Sequence, residues 1–156
     1  MALARILIDG YSLLHNWPEL APGKPRHSAA ARDELIRILT LYRDSTHTPI
    51  TIFFDGAGRV RHSPGEESTP NVEILFSGAG KTADDMIERV AYRMSTVGEV
   101  LVVTDDFAER DTVINFGGTA SSCFNFIQAV ENALAELAEY IKYHNRREKN
   151  QFNRRQ

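Results

Sequence analysis

The sequence predicts an α/β fold: a central, mostly parallel sheet of four or five strands with helices on both faces. Two observations predict it. Short apolar runs alternate with longer segments of helical periodicity, and three of those runs end in aspartate. Ile6-Leu7-Ile8 runs into Asp9-Gly10, Ile50-Thr51-Ile52-Phe53-Phe54 into Asp55-Gly56, and Val100-Leu101-Val102-Val103-Thr104 into Asp105-Asp106. Runs that are apolar throughout read as strands buried on both faces. Their alternation with helices makes the sheet parallel. A chain of 156 residues, 42% apolar and 25% charged, is sufficient for one soluble domain with one core.

The first strand ends at Asp9, where Gly10 is expected to let the backbone turn tightly. Tyr11 to His27 reads as turn and loop, because Trp17-Pro18, Pro22-Gly23 and Pro25 oppose a long helix. Ser28 is a plausible N-cap, and Leu35, Ile38, Leu39 and Tyr42 give helical spacing to about Asp44. The second strand follows the turn at His47-Thr48-Pro49. Residues 56–71 read as a Gly-, Pro- and Ser-rich loop, and Val72–Phe76 as the third strand. Thr82 caps the next helix, whose Met86, Ile87, Val90, Ala91 and Met94 share a face. A strand at 99–104, a short helix at 107–115 and a terminating Gly117-Gly118 come next. Thr119-Ala120-Ser121 reads as a brief edge strand. Ser121 or Ser122 then caps a long helix with Phe124, Ile127, Val130, Leu134, Leu137 and Ile141 as its apolar stripe.

Net charge is −3, but residues 142–156 hold six basic residues against Glu148, which leaves residues 1–141 at −8. An acidic body with a basic end fits contact with a polyanion. A solvated helix end whose basic residues complement the helix dipole is the other reading. The division is therefore a domain over 1–145 and a basic tail over 146–156. Cys123 is the single cysteine, so no internal disulfide exists; this suits a reducing cytosol, and a cytoplasmic location is expected. The N-terminal apolar run is too short for a signal peptide, and no stretch reaches the roughly 18 apolar residues of a membrane span.

In open α/β sheets, ligands bind outside the carboxyl ends of the strands. Asp9 and Asp106 end the two strands expected to be adjacent at the sheet's centre. Several carboxylates gathered there repel one another unless a cation sits among them. The donors are all oxygen, which suits magnesium or manganese, and no Cys/His pair has zinc-site spacing. Such a cation supports phosphodiester hydrolysis by activating water and offsetting charge on phosphate oxygens. Asp84 and Asp85 have a second explanation, since acidic residues in a first helical turn favour the dipole, and Thr82 with Asp85 resembles a capping box.

The ordered set Leu7-Ile8-Asp9-Gly10-Tyr11, Trp17-Pro18-Glu19-Leu20, Phe53-Phe54-Asp55-Gly56, Thr82-Ala83-Asp84 and Val102-Val103-Thr104-Asp105-Asp106 resembles the NYN domain family, most closely its YacP-like bacterial subgroup. The resemblance spans nearly the whole chain. It implies a PIN-like three-layer sandwich and a metal-dependent endoribonuclease, some relatives acting on ribosome-associated messenger RNA. The family's acidic positions fall on Asp9, Asp55, Asp84 and Asp106, implied to be catalytic. Asp9, Asp84 and Asp106 are also implied metal ligands, with Asp105 as an extra acid. Ser12, Asp85 and Thr104 stand beside them as supporting residues. Relatives usually have asparagine where this chain has Ser12, and a hydroxyl is shorter, with one donor rather than two.

For RNA contact, Trp17 is a candidate for base stacking, worth about 1–3 kcal/mol, or else a Trp-Pro turn packed on the body. Lys24, Arg26, Arg59, Arg61 and Arg110 are candidate phosphate contacts near the acidic edge, as are Arg146 and Arg147 in the tail. An RNA-binding or ribosome-associated adaptor with weak or no cleavage is the alternative function. A phosphatase using an aspartyl-phosphate is disfavoured, because Asp9-Gly10-Tyr11 lacks the second aspartate two residues on.

Overall fold

Leu3–Asp9 (β1), Ile50–Phe54 (β2), Val72–Phe76 (β3), Glu99–Val103 (β4) and Thr119–Ser121 (β5) form one sheet in the order β3-β2-β1-β4-β5, and every pair is parallel. The computed structural model describes residues 3–56, 68–69, 71–78 and 80–154. The helices among the described residues are Gly10–His15 (α1), Ala29–Thr46 (α2), Ala83–Met94 (α3) and Phe107–Asn115 (α4), which lie between strands, and Cys123–Arg154 (α5), which follows the last. The side-chain alternation of β1 divides the core into two. Ile6 and Ile8 face Leu13, Leu35, Leu39, Phe126 and Val130, which come from α1, α2 and α5. Leu7 faces the other way, onto Ile87, Ala91 and Val113 of α3 and α4. Helix, sheet and helix thus make three layers.

The helix starts follow the side chains that satisfy their free N–H groups. The Ser28 hydroxyl accepts from Ala31 N at 3.1 Å. Thr82 and Asp85 form a complete capping box, Asp85 N donating to Thr82 Oγ1 at 3.1 Å and Thr82 N to Asp85 Oδ2 at 3.3 Å. Ser122 Oγ accepts from Asn125 N at the start of α5. Gly117, at φ +88°, takes the left-handed conformation that ends α4.

The structure departs from the sequence reading at four places. Residues 10–15 are helix, not loop. Asp9 caps α1 by accepting from Ser12 N, while Tyr11, Leu13 and Leu14 are buried, and the breaking Pro18 comes only after the helix has ended. Gly10 has no positive φ; it is the first residue of α1, and its value lies in its missing side chain. A methyl group there would lie 2.2 Å from Cε1 of the fully buried Phe54. The buried stripe of α5 is Cys123, Phe126, Ile127 and Val130, with Leu134 packed at its edge, whereas Phe124 is 67% exposed and Ile141 about half exposed. Phe126, two positions on, takes the inward place because 100° per residue carries Phe124 to the far side. Finally, α5 runs unbroken through position 145 to Arg154, so residues 146–154 continue a helix. Most of the 56–71 segment, with Arg59 and Arg61, lies outside the described residues.

Candidate active site

The strand order places the site. The chain winds from β1 to β2 and β3 on one side, then returns to set β4 against the other side of β1. The carboxyl ends of β1 and β4 are therefore the switch point, where two connections leave in opposite directions and open a crevice. Asp9 stands at the end of β1, Thr104-Asp105-Asp106 just after β4, and Asp84 in the first turn of α3, whose start Asp55 holds to the end of β2. A cleft of about 510 Å³ opens there, lined by Asp9, Ser12, Asp55, Asp84, Thr104, Asp105 and Asp106 and by a facing wall of Tyr11, His15, Asn16, Arg26 and His27.

The tightest constellation is Asp84, Asp106 and Glu109. Each offers one carboxylate oxygen, and the three oxygens lie within 4.8 Å of one another. Asp106 is the N-cap of α4, its Oδ1 accepting from Ala108 N at 2.9 Å and Glu109 N at 3.3 Å. Glu109 is only 2% exposed. The Thr104 hydroxyl donates to Glu109 Oε2 at 3.1 Å and accepts from Asp106 N at 3.1 Å, so one side chain fixes two acids. Glu109 Oε1, also buried, has no hydrogen-bond partner among the described residues. Asp9, 8% exposed, lies beside Asp84, and its Oδ1 accepts from Ser12 N at 3.2 Å.

The electrostatics follow from burial. Desolvation pushes the Glu109 carboxyl up to about 9, and a hydrogen bond to Asp84 and the Asp84 charge push the same way, against the Thr104 hydrogen bond. Desolvation and Asp84 likewise raise Asp9 to about 6, against the Ser12 hydrogen bonds. Glu88 on α3 is also raised, by partial desolvation and by the charges of Asp85, Asp84 and Asp106. A buried carboxyl is costly to ionise without a cation beside it. Here it belongs to an all-oxygen set beside two further carboxylates, and a hard divalent cation satisfies all of them together. The residues present therefore fit a hard divalent cation.

A stability profile follows. Both groups have folded-state pKa values above their unfolded ones, so their contribution is complete below the ordinary carboxylate range and is lost as pH rises. In chelator, the melting temperature is expected to fall as the pH rises from about 5 to about 8. Asp84→Asn, which removes the charge both groups face, should flatten that fall and leave stability at neutral pH equal or higher. A helix-start residue with no such neighbours would instead cost about 0.3–1 kcal/mol on neutralisation. Thermal denaturation across pH distinguishes the two, and a parallel but lower Asp84→Asn profile would contradict the shared site.

The remaining acids are spent differently. Asp55 Oδ1 accepts from Ala83 N at 2.6 Å, tying the start of α3 to the end of β2. Asp105 Oδ1 accepts from Cys123 N at 2.8 Å, anchoring α5. Both line the cleft but stand outside the three-carboxylate set. Asp85 is taken up by its capping box and does not line the cleft. Trp17, expected as a stacking platform, is instead core: at 5% exposure it has no free face, and it packs with Leu14 and Ala31 under the following turn. Lys24 is exposed beside that turn, off the cleft. Arg26 does reach the cleft wall, where it contacts His15 Nδ1 and donates to His27 Nε2 at 3.4 Å. That wall is stiffened from behind. The Tyr11 ring lies between His27 and Phe54, and buried Arg32 donates to Tyr11 Oη and to the His27 carbonyl. Arg110 is exposed on α4 and does not line the cleft; Arg146 and Arg147 lie far along α5.

Glu109 is the residue that sequence reasoning missed. Asp106 followed three residues later by Glu109 is the spacing of a helix start, which hides any second use of the glutamate. The only available signal was its place one turn beyond an aspartate already assigned to the site. Cys123, by contrast, is an inert core thiol, pushed up to about 12 by burial and by Asp105.

The sequence profile of the YacP-like NYN domain matches residues 6–156. The uncharacterised protein YacP of Bacillus subtilis (strain 168) is 28% identical over 138 residues, covering 88% of this chain and 81% of its own length. The crystal structure of Rae1 (YacP) from Bacillus subtilis superposes with a TM-score of 0.75 at 26% identity, over 91% of this chain and 80% of that one. A point mutant of the same protein gives 0.74 at 23% identity, over 90% and 82%, which speaks to the fold alone.

Proposed function

The chain belongs to the YacP-like NYN family, within the PIN-like nucleases, and we propose on that premise that its carboxylate cleft is the active site of a magnesium- or manganese-dependent endoribonuclease. One observation carries the reading beyond family membership: buried Glu109 offers a carboxylate oxygen within 4.8 Å of Asp84 and Asp106 oxygens. Folding alone does not call for a buried acid in that company.

Asp84, Asp106 and Glu109 are the residues that would hold the cation, with Asp9 beside Asp84 as the next carboxylate. When bound, the cation supplies activation of the attacking water and charge compensation at the phosphate. Thr104, which lines the cleft, holds the Glu109 carboxylate behind it by donating to Oε2. Arg26, in contact with His15 and His27, lines the same cleft as the acids and offers a phosphate oxygen a cationic contact there. Ser12 does not weaken this arrangement at its base. The backbone N–H of Ser12 holds Asp9, a bond that asparagine would make equally, and the Ser12 hydroxyl adds a second hydrogen bond to the same carboxylate. That favours cleavage over the adaptor alternative.

The substrate class is RNA, and messenger RNA presented on a ribosome is the form the family resemblance suggests. Purified protein should cut single-stranded RNA internally with magnesium or manganese and stop in chelator. The assay is run with ribosomes present and absent, because a substrate presented only there leaves free RNA uncut. Absence of metal-dependent cleavage under every condition would leave the adaptor reading in its place.

A further inference from the structure

We propose that the C-terminal half of α5 is a second RNA-binding surface, remote from the cleft, which grips RNA outside the stretch being cut. The inference rests on the nuclease reading for the identity of the polymer; the surface itself is read from the helix. Beyond Leu134 no residue of α5 is buried, yet the helix continues for 20 residues to Arg154, about 30 Å at 1.5 Å per residue. Nothing in the body accounts for that length.

Its side chains are ordered. Lys142, Arg146 and Lys149 recur at i, i+4 and i+7, and Tyr143, Arg147 and Arg154 at i, i+4 and i+11, so two adjacent stripes form one basic face. That face lies opposite the side that packs on the core. Lys142 has a solvent-exposed partner in Glu139 at 3.7 Å, and among the described residues Arg146, Arg147, Lys149 and Arg154 are in no ion pair. Tyr143 is 60% exposed among these charges. Basic side chains interleaved with an exposed aromatic ring match a single-stranded polyanion with stackable bases. Residues 1–141 carry −8 against +5 on residues 142–156, so this helix end is where net positive charge gathers.

The position excludes the scissile stretch. Asp105 anchors Cys123 at the cleft, and α5 runs back from there. Arg146 is 23 residues on, about 35 Å away along the axis. A stacked RNA of about five nucleotides spans only about 17 Å and cannot touch both places.

The test uses the full chain and a triple variant, Arg146→Gln with Arg147→Gln and Lys149→Gln, all at exposed sites. Fluorescence anisotropy in chelator measures binding of single-stranded RNAs of about 60 and about 5 nucleotides across a salt series. The expected result is a log Kd against log salt slope for the long RNA that falls by about 2 in the variant, three phosphate contacts at roughly 0.7 each. The parent's preference for long over short RNA should shrink with it. Equal slopes for parent and variant overturn the proposal. So does an equal loss on the short RNA, which would put the helix at the scissile stretch. A variant that differs only in oligomeric state, or only in binding to anionic lipid vesicles, overturns it in favour of a second copy or a membrane surface. Metal-dependent cleavage of the short RNA by the parent is scored in parallel. If cleavage occurs and the slopes are equal, this inference alone falls; if the slopes differ without cleavage of any RNA, ribosomes present or absent, the nuclease reading alone falls.

Discussion

Glu109→Gln is expected to lower metal-dependent RNA cleavage by at least about 100-fold while the protein stays folded. Replacing even the outer partners of a metal site commonly costs about 10–100-fold, and this change removes a charged oxygen from the proposed inner set. Glutamine keeps the shape, and its carbonyl can still accept from the Thr104 hydroxyl that now reaches Oε2. The change also replaces a carboxyl whose ionisation is opposed first by burial and then by Asp84 with a neutral amide. Stability in chelator should therefore hold or improve even as activity collapses, a pairing that a purely structural glutamate would not give. Asp106→Asn should behave alike, since its amide oxygen can still cap α4. Asp105→Asn should be milder, because that carboxylate is committed to Cys123 N. Cleavage by Glu109→Gln within a few-fold of the parent would remove Glu109 from the mechanism.

Gly10→Ala is expected to produce the largest loss of stability of any conservative change near the cleft, about 1–3 kcal/mol or more from overpacking. The added methyl would sit 2.2 Å from Phe54 Cε1, 2.6 Å from Cδ1 and 2.9 Å from Cζ. Phe54 cannot yield, being fully buried between the rings of Tyr11 and Phe76, at centroid distances of 5.0 and 5.4 Å. The backbone of α1 would have to lift instead, and with it the Ser12 N–H that holds Asp9. A chemical denaturation midpoint and the metal response should fall together. An alanine variant as stable as the parent would show that the ring has room to move.

Most of the fold was legible because local and tertiary preferences agree. The apolar runs of β1, β2 and β4 have no reading except strands covered on both sides, and Ser28 and Thr82 mark helix starts by their own chemistry. Even the adjacency of β1 and β4 followed, since aspartates ending both strands make sense only at a shared edge. Tertiary context hid the rest. The short α1 is too brief for periodicity to reveal, and it is held by the Asp9 cap and by burial of Leu13 and Leu14. Asp55, Asp84, Asp85 and Asp105 look alike in sequence, but backbone N–H groups claim Asp55, Asp85 and Asp105, leaving Asp84 in the cluster. Glu109 was masked because a glutamate in a first helical turn already has an ordinary explanation. Trp17 was ambiguous for a similar reason: a tryptophan beside a proline serves a core as readily as a surface.

The central claim is that Asp84, Asp106 and Glu109 together bind one hard divalent cation. Manganese titration of the RNA-free protein, followed by the loss of free-ion electron paramagnetic resonance signal, tests it most directly. Saturable binding by the parent is expected, and at least about tenfold weaker binding by Glu109→Gln, with both proteins equally folded. Equal manganese affinity in the two proteins would contradict it.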